Sequence, residues 1–257
     1  MIEKVIHFCW FGGNPKTELT EKCIESWKKF CPDYQIVEWN ENSFDVNSNV
    51  YVKQAYEAKK FAFVSDYVRL YALYTQGGVY MDTDVMVLKS LDEYLEHKAF
   101  FGFESKTKVS TGIMAAEKGF PLIGELLKYY DTATFKKEDG TLDMTTNVEI
   151  ITAALMEKGL IPNGERQTVE DMVFYPQNVF CPLHKELENK NYMKDTATIH
   201  YFAGSWKSEK TKKRENSFWW KLVAPVASFF SKIMQKIFGE KWKKKKDEIR
   251  NKMFKNE

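Results

Sequence analysis

Between residues 61 and 88 the pattern of hydrophobic and polar residues changes from the spacing of a helix to the short apolar runs of strands. Residues 61–76 place apolar side chains at helical spacing, which predicts an amphipathic helix. A glycine pair at 77–78 predicts the end of this helix, because glycine tolerates the positive φ that helix C-caps favour. Residues 79–81 then form a short apolar run typical of a buried strand, which leads directly into Asp-Thr-Asp at 82–84. A second apolar run covers residues 85–88.

The remaining elements alternate between strand and helix patterns. Such alternation predicts an α/β fold, in which helices cover a sheet. Residues 159–195 show short strands and turns without a recognisable chemical motif. The other predicted strands cover residues 4–11, 34–39, 99–103, 110–116 and 198–202, and the other predicted helices cover residues 20–30, 50–60, 120–130 and 146–158.

The charges divide the chain into two parts. The 257 residues have a net charge of +2, but residues 207–257 carry 16 Lys and Arg against 6 Asp and Glu. The rest of the chain has 22 basic and 30 acidic residues, so residues 1–206 carry −8 and residues 207–257 carry +10. This asymmetry predicts one folded domain at 1–207, a separate tail at 208–257, and an anionic partner surface for the tail.

The tail also contains aromatic residues between its basic clusters, including Trp219, Trp220, Phe229 and Phe230. Lysines gather on one side of the helical pattern and aromatic residues on the other, which predicts basic amphipathic helices. These helices either dock on the body or lie in the interface of an anionic membrane. No recognisable nucleic-acid-binding module accompanies the basic run, so we expect no nucleic acid partner.

The rest of the composition favours a cytoplasmic protein. The sequence shows neither a secretory signal pattern nor an apolar run long enough to span a membrane. Its four cysteines have no Cys-x-x-Cys spacing and no histidine at the spacing of a zinc site. Scattered, reduced cysteines are typical of the cytoplasm.

Asp82 and Asp84 are the first candidates for chemistry. Alternate residues of a strand face the same side, so we expect both side chains to point into one space. Two carboxylates that close repel unless a cation lies between them or one is protonated. Mg²⁺ and Mn²⁺ prefer such oxygen ligands, which predicts a metal site. The alternative is a polar turn, because Asp-x-Asp alone is a weak motif and Asp is common in turns.

Asp66 and Arg69 are the second candidates. They are three residues apart in the predicted helix and therefore share one face. Val64, Val68 and Leu70 surround them with apolar positions, which predicts a buried ion pair. The alternative, an ion pair on the helix surface, would contribute little to stability.

Together these residues resemble a known family. The arrangement of Asp66-x-x-Arg69, a helix, a glycine pair, Tyr80 and Asp82-x-Asp84 resembles glycosyltransferase family 32. It is also similar to the glucosyltransferase domain of large clostridial toxins. The resemblance implies a GT-A type fold, a nucleotide-sugar-binding mixed sheet flanked by helices. It also implies Mn²⁺ or Mg²⁺ as cofactor and transfer with retention of anomeric configuration.

The resemblance also implies roles for these residues. Asp84 would bind the metal directly, and Asp82 would bind ribose, the metal, or both. Asp66 and Arg69 would hold hydroxyl groups of the sugar or ribose, with arginine offering a fixed fork of donors. Tyr80 would belong to the donor-binding residues.

Trp10, at the end of the first predicted strand, has two interpretations. An apolar strand often contains a core tryptophan. The opening strand, however, resembles that of both families, and in the toxins the matching tryptophan stacks on uracil. The resemblance thus implies that Trp10 stacks on the base of the donor, a contact worth ~1–3 kcal/mol in comparable cases. His7 is predicted to be structural.

A late segment offers further ligands. His200 and Gly204 have the H-x-x-G spacing of glycogenin relatives, displaced by one residue, and that segment completes a metal shell there. In the toxins a late Ser-x-Trp-like segment contacts the metal and β-phosphate instead, which points to Ser205 and Trp206. Both alternatives stay open, and His200, Gly204, Ser205 and Trp206 are all predicted site residues. The resemblance also places the start of the helix at 146–158, with Asn147 and Glu149, near the donor sugar or the acceptor.

The sequence therefore predicts a hexosyltransferase. It would move galactose or glucose from a UDP-sugar to a glycan or polyprenyl-diphosphate-linked acceptor in surface or capsular polysaccharide synthesis. The predicted location is the inner face of the cell membrane, with the tail at 208–257 on anionic lipid. The alternatives are a GDP-mannose-dependent mannosyltransferase, a hydrolase of nucleotide sugars or phosphoesters, and a non-catalytic scaffold.

Overall fold

The computed structural model describes residues 1–204, and residues 1–136 and 143–203 form one compact unit. Residues 137–142 belong to a second unit and form a turn, in which the Gly140 amide donates to the Lys137 carbonyl (2.9 Å). The strands are β1 (Val5–Cys9), β2 (Gln35–Trp39), β3 (Gly78–Met81), β4 (Val85–Val87), β5 (Ala99–Ser105), β6 (Lys108–Ala116), β7 (Gln167–Val169), β8 (Met172–Tyr175) and β9 (Thr198–His200). The helices are α1 (Glu18–Phe30), α2 (Val50–Glu57), α3 (Phe61–Gln76), α4 (Pro121–Thr132), α5 (Asn147–Glu157), α6 (Gln177–Phe180) and α7 (Lys190–Met193).

Seven strands form one mixed sheet in the order β2-β1-β3-β6-β5-β8-β7. β1 is parallel to β2 and β3, and β5 is parallel to β8. β6 runs antiparallel to both of its neighbours, β3 and β5. The predicted α/β class, a mixed sheet flanked by helices, is confirmed. β6 begins at Lys108, two residues before the predicted strand.

Helices cover both faces of the sheet near β1. Phe8 contacts Trp27 of α1 edge to face, with ring centroids 5.5 Å apart. His7 points to the opposite face, where its Nε2 donates to the Gly77 carbonyl at the end of α3 (2.8 Å). The apolar run of β1 is therefore explained by burial on both faces, which contributes ~1.5–3 kcal/mol for each large apolar side chain.

His7 is structural, as predicted. Its Nδ1 accepts a hydrogen bond from Trp39 Nε1 (3.1 Å), so both ring nitrogens bind protein atoms. Burial lowers the pKa of His7, although its bond to the Gly77 carbonyl acts in the opposite direction. His7 is fully buried beneath α3 and does not reach a ligand surface.

The end of α3 follows the predicted chemistry. Gly77 is the C-cap, with φ of +72°, and its amide donates to the Leu73 carbonyl (2.9 Å). A Cβ on Gly77 would lie 2.7 Å from the Lys118 amide nitrogen, so a larger residue would meet backbone as well as an unfavourable φ. The chain thus turns within two residues from α3 into the central strand β3.

A second, two-stranded sheet brings the late part of the chain back to the acidic pair. β4 and β9 are antiparallel, with Val85 opposite His200. The sequence predicted a strand that continues to Phe202, but β9 ends at His200 and Phe202 has a φ of +50°. This turn directs the following backbone towards Asp84, whose carbonyl accepts from the Tyr201 amide (3.0 Å).

Among residues 1–204, no helix is both long and apolar enough to cross a membrane. Several predictions fall beyond these residues. They are the roles of Ser205 and Trp206, the domain boundary after residue 207, and the basic amphipathic tail at 208–257.

Candidate active site

Asp82, Asp84 and His200 form one cluster. Each offers a ligand atom, and these atoms all lie within 4.8 Å of one another. His200 Nε2 lies 3.2 Å from Asp84 Oδ1. The two carboxylates are half-buried and His200 is buried, so the cluster lies at the protein surface with one wall inside the core.

The acidic pair lies in a turn rather than on a strand. β3 ends at Met81, and the Val85 amide donates to the Asp82 carbonyl (3.0 Å) to close the turn. The Asp82 amide donates to the Gly112 carbonyl of β6 (2.8 Å). The prediction that strand alternation aligns the carboxylates is therefore wrong. The turn and its bond to β6 bring them together instead.

Asp84 is held by the late segment. Its Oδ2 accepts from the Ala203 amide (2.7 Å), and its Oδ1 faces His200. Burial alone would raise the pKa of Asp84, but these contacts to His200 and Ala203 outweigh burial and lower it. Asp84 is therefore ionised, and its carboxylate is already held next to His200.

Asp82 is held by residues near it in sequence. The Tyr80 hydroxyl donates to Asp82 Oδ1 (2.9 Å), and Arg69 Nη1 lies 3.4 Å from the same oxygen. Each carboxylate of the pair therefore has its own cationic partner, Arg69 for Asp82 and His200 for Asp84. These partners reduce the repulsion between the two carboxylates.

Arg69 connects α3 to the acidic turn. Its guanidinium lies 3.0 Å from Asp66 Oδ1, and Nη1 donates to the Thr111 carbonyl of β6 (2.6 Å). Nε donates to the Ser65 carbonyl (3.2 Å), and the guanidinium lies over the Tyr80 ring, 4.7 Å from its centroid. The predicted burial of the pair is confirmed, because Arg69 is 4% and Asp66 9% exposed.

The donors of Arg69 are thus used within the protein, and Tyr80, which is 1% exposed, contacts Asp82 rather than an open surface. These contacts favour a positioning role for both residues over direct contact with a sugar. Burial raises the pKa of Asp66 to about 6, although the charge of Arg69 acts in the opposite direction.

Trp10 follows β1 directly at the edge of this region. Its amide donates to the Trp39 carbonyl (2.9 Å), and its ring nitrogen donates to the Asn14 carbonyl (2.7 Å). The ring is half-buried, whereas Trp27 is completely buried. A fixed ring with part of its surface exposed suits a stacking platform, so base stacking stays a prediction that the placement permits.

His200 lies in a tight enclosure. Its Nδ1 is buried without a hydrogen-bond partner of ordinary geometry, and its ring stacks on Phe202 with centroids 4.1 Å apart. Burial opposes the charged ring, but the contact with Asp84, helped by the Cys181 thiol, raises the pKa of His200 to about 10. The His200 carbonyl accepts from His184 Nε2 (3.2 Å), which ties down the backbone here.

Two further polar residues border the site. Asn147, the first residue of α5, donates from Nδ2 to the Asp66 carbonyl (3.0 Å), and its Oδ1 is buried without a partner. Glu104 lies near the end of β5, and burial raises the pKa of its carboxyl, an effect that the nearby charge of His200 reduces. The predicted strand ended at residue 103 and did not include Glu104, because β5 is longer than its apolar run.

The donor set fits a divalent cation. Two carboxylates suit Mg²⁺ and Mn²⁺, and an imidazole ligand favours Mn²⁺ of the two. His200 would present Nε2, the nitrogen that faces Asp84. Of the other late residues, Gly204 is the last one described and has a φ of +59°.

Residues 17–101 match the family described as the glycosyltransferase sugar-binding region containing a DXD motif. The matched stretch contains Asp66, Arg69, Asp82 and Asp84. The predicted resemblance is confirmed for this part of the chain, which matches the sugar-binding region of DXD glycosyltransferases.

Two proteins are similar in sequence. Inositol phosphoceramide mannosyltransferase 3 of Schizosaccharomyces pombe is 29% identical over 135 residues, which cover 49% of this chain and 36% of the relative. Uncharacterized protein At4g19900 of Arabidopsis thaliana is 26% identical over 149 residues, which cover 55% of this chain and 22% of the relative. The chain thus spans well under half the length of these relatives.

Solved structures are similar as well. PaToxG glycosyltransferase has a TM-score of 0.47 at 20% identity, covering 62% of this chain and 69% of that one. The galactosyltransferase LgtC, in complex with donor and acceptor sugar analogues, has a TM-score of 0.39 at 15% identity, covering 80% and 91%.

Proposed function

We propose that this protein is a metal-dependent glycosyltransferase of GT-A type that transfers a hexose from a nucleotide sugar. The observation that carries the proposal is the cluster of Asp82, Asp84 and His200. The two aspartates belong to the matched DXD region, and the β4–β9 pairing adds a nitrogen ligand from a distant part of the chain.

The chemistry follows from the leaving group. A nucleotide sugar releases a nucleoside diphosphate, whose developing negative charge a bound Mn²⁺ or Mg²⁺ would neutralise as a Lewis acid. Asp84 and His200 would hold the cation, together with Asp82. Arg69 and Tyr80 keep Asp82 in place through the contacts to its Oδ1. Pre-arranged ligands of this kind lower the reorganisation that catalysis requires.

The donor-binding surface follows from the same arrangement. Trp10 would stack on the base. Asp66, which pairs with Arg69, and Asn147, which donates to the Asp66 carbonyl, would bind hydroxyl groups of the sugar. Asp66 offers a carboxylate oxygen and Asn147 an unpaired carbonyl oxygen, both of which accept from hydroxyls.

UDP-galactose or UDP-glucose is our first choice of donor, because a stacking tryptophan suits uracil in the toxins that the sequence resembles. GDP-mannose is the second candidate. The observation that favours it is the similarity to a mannosyltransferase of Schizosaccharomyces pombe.

We also propose a lipid-linked glycan as acceptor, extended at the inner face of the cell membrane in surface polysaccharide synthesis. The support is the charge pattern of the sequence, in which residues 207–257 carry 16 basic and 6 acidic residues. Basic residues near anionic lipid each contribute about 1 kcal/mol, and tryptophan and phenylalanine insert into the interface.

Removal of residues 215–257 should therefore abolish binding to anionic liposomes and spare slow hydrolysis of the donor. Co-sedimentation at low and high salt measures the binding, and raised salt should weaken it as far as lysine–lipid attraction holds the protein. A full-length protein that ignores anionic liposomes at low salt would remove the main support for a lipid-linked acceptor.

A screen of donors tests the activity itself. Purified full-length protein is incubated with UDP- and GDP-hexoses, with and without Mn²⁺, and nucleotide release is measured in the presence and absence of glycan acceptors. We expect Mn²⁺-dependent release from one donor class that accelerates with an acceptor. If nucleotide release is the same with and without an acceptor, the result favours the hydrolase. If the protein neither releases nucleotide nor binds it in a metal-dependent way, the result favours the scaffold.

A further inference from the structure

Gly112 of β6 lies against the His200 ring. A Cβ at this position would come within 2.6 Å of His200 Cε1 and 2.7 Å of Nδ1. Such distances are shorter than those between non-bonded atoms in contact. The His200 ring also stacks on Phe202, so it has little room to move. Gly112 does not have a positive φ, so backbone freedom is not the reason for glycine here. The space that His200 occupies is the reason.

The backbone of the same residue fixes the other ligand. The Gly112 carbonyl accepts from the Asp82 amide (2.8 Å), and the preceding carbonyl, that of Thr111, accepts from Arg69 (2.6 Å). Two consecutive residues of β6 thus hold the acidic turn and its arginine. Gly112 is therefore in contact both with the acidic turn, through its carbonyl, and with the ring of His200 from β9.

Packing has to hold the His200 ring, because hydrogen bonds do so only in part. Nε2 faces Asp84, but Nδ1 has no partner of ordinary geometry. Histidine ligands of metals usually donate their second nitrogen to a carboxylate or carbonyl, which orients the ring. In this site the close contact with Gly112 and the stacking on Phe202 replace much of that orientation.

We propose that Gly112 is a positioning residue of the metal site. By lacking a side chain, it lets His200 approach the acidic turn closely enough to share one cation with Asp82 and Asp84. The inference rests on the proposed metal binding. It adds that residue 112 must be glycine for the cation to bind, although Gly112 itself does not contact the cation.

The test measures Mn²⁺ affinity of the full-length protein by calorimetry, without donor. Gly112→Ala should weaken Mn²⁺ binding about 10- to 100-fold, the range seen when residues that orient metal ligands are changed. In a His200→Ala background the ring is absent, so the new Cβ no longer meets it. There, Gly112→Ala should weaken Mn²⁺ binding less than about twofold.

Gly102→Ala is the matched control. Gly102 is a glycine of the neighbouring strand β5, and a Cβ there would meet Phe180 Cδ2 at 2.9 Å rather than an atom of a ligand residue. This variant should lose thermal stability and keep the wild-type Mn²⁺ affinity.

The outcomes separate the inference from the function on which it rests. A wild-type protein that binds no Mn²⁺ contradicts the proposed function. Normal affinity in Gly112→Ala, or an equal loss with and without His200, overturns the inference alone. If Gly112→Ala does not fold, folding of the double variant supports the inference, and failure of both shows that β6 itself rejects alanine, which overturns it.

Discussion

Asp82 and Asp84 are one residue apart, yet their surroundings are built in different ways. Asp82 is held by Arg69 and Tyr80, which belong to the same continuous stretch of chain. Asp84 is held by His200 and Ala203, more than a hundred residues away. The first partner is a permanent cation, and the second can lose its proton and serve as a neutral ligand. We therefore distinguish two halves of one metal site. The fixed half is Asp82 with Arg69 and Tyr80, and the exchangeable half is Asp84 with His200.

The largest expected effect comes from breaking the fixed half. Arg69→Met would leave Asp66 and Asp82 without their cationic partner in a buried setting, which typically costs about 3–5 kcal/mol of unfolding free energy. Urea unfolding measures this change. Lys22→Met, which breaks an exposed ion pair with Glu18 in α1, should leave the unfolding free energy nearly unchanged. Similar losses in both variants would contradict the structural role of Arg69.

Trp10→Ala tests the base-binding end of the site. Loss of stacking should weaken UDP binding by ~1–3 kcal/mol, which calorimetry with Mn²⁺ present measures. Trp27→Ala is the comparison, because a fully buried tryptophan should cost about 3–5 kcal/mol of stability without changing UDP affinity per folded molecule. If Trp10→Ala instead behaves like Trp27→Ala, then Trp10 is a core residue.

A smaller effect concerns Asp66 and pH. Its pKa in the folded protein is about 6, above the ordinary value of 3.8, so the folded state binds this proton more tightly than the unfolded state. Stability from Asp66 is then complete below about pH 4 and decreases as pH rises towards 6, by roughly 1–3 kcal/mol. Unfolding free energy measured across this range should therefore fall less steeply in Asp66→Asn.

Asp171→Asn serves as the control for this experiment, because Asp171 is exposed and pairs with Lys98 at the surface. It should leave the pH profile of the wild type unchanged. A profile for Asp66→Asn that matches the wild type would show that Asp66 ionises in the folded protein as it does in solution.

The fixed half could be predicted from sequence and the exchangeable half only in part. Helix spacing predicted the buried pair of Asp66 and Arg69, and the glycine pair predicted the end of α3, because these are local properties of the chain. The contact of Arg69 with Asp82 has no local signal. It depends on the turn after β3 and on the carbonyls of β6.

His200 illustrates the other limit. The sequence offered it as one of several late candidates, through a resemblance with displaced spacing, and no local pattern could choose among them. The pairing of β4 with β9 decides its placement, and pairing between strands so far apart follows from the assembled sheet rather than from either strand alone. Gly112 escaped prediction for the same reason, since its neighbour comes from a distant strand.

The central claim is that Asp84 and His200, with Asp82, hold one cation on which donor binding depends. Titration of Mn²⁺, and then of UDP in its presence, into wild type and Asp84→Asn tests this directly, with thermal unfolding as a check of the fold. We predict a stable variant whose Mn²⁺ affinity falls by more than the roughly 10- to 100-fold typical of changes outside the ligand shell. Its Mn²⁺-dependent UDP binding should be lost. Unchanged Mn²⁺ and UDP affinities in Asp84→Asn would contradict the claim.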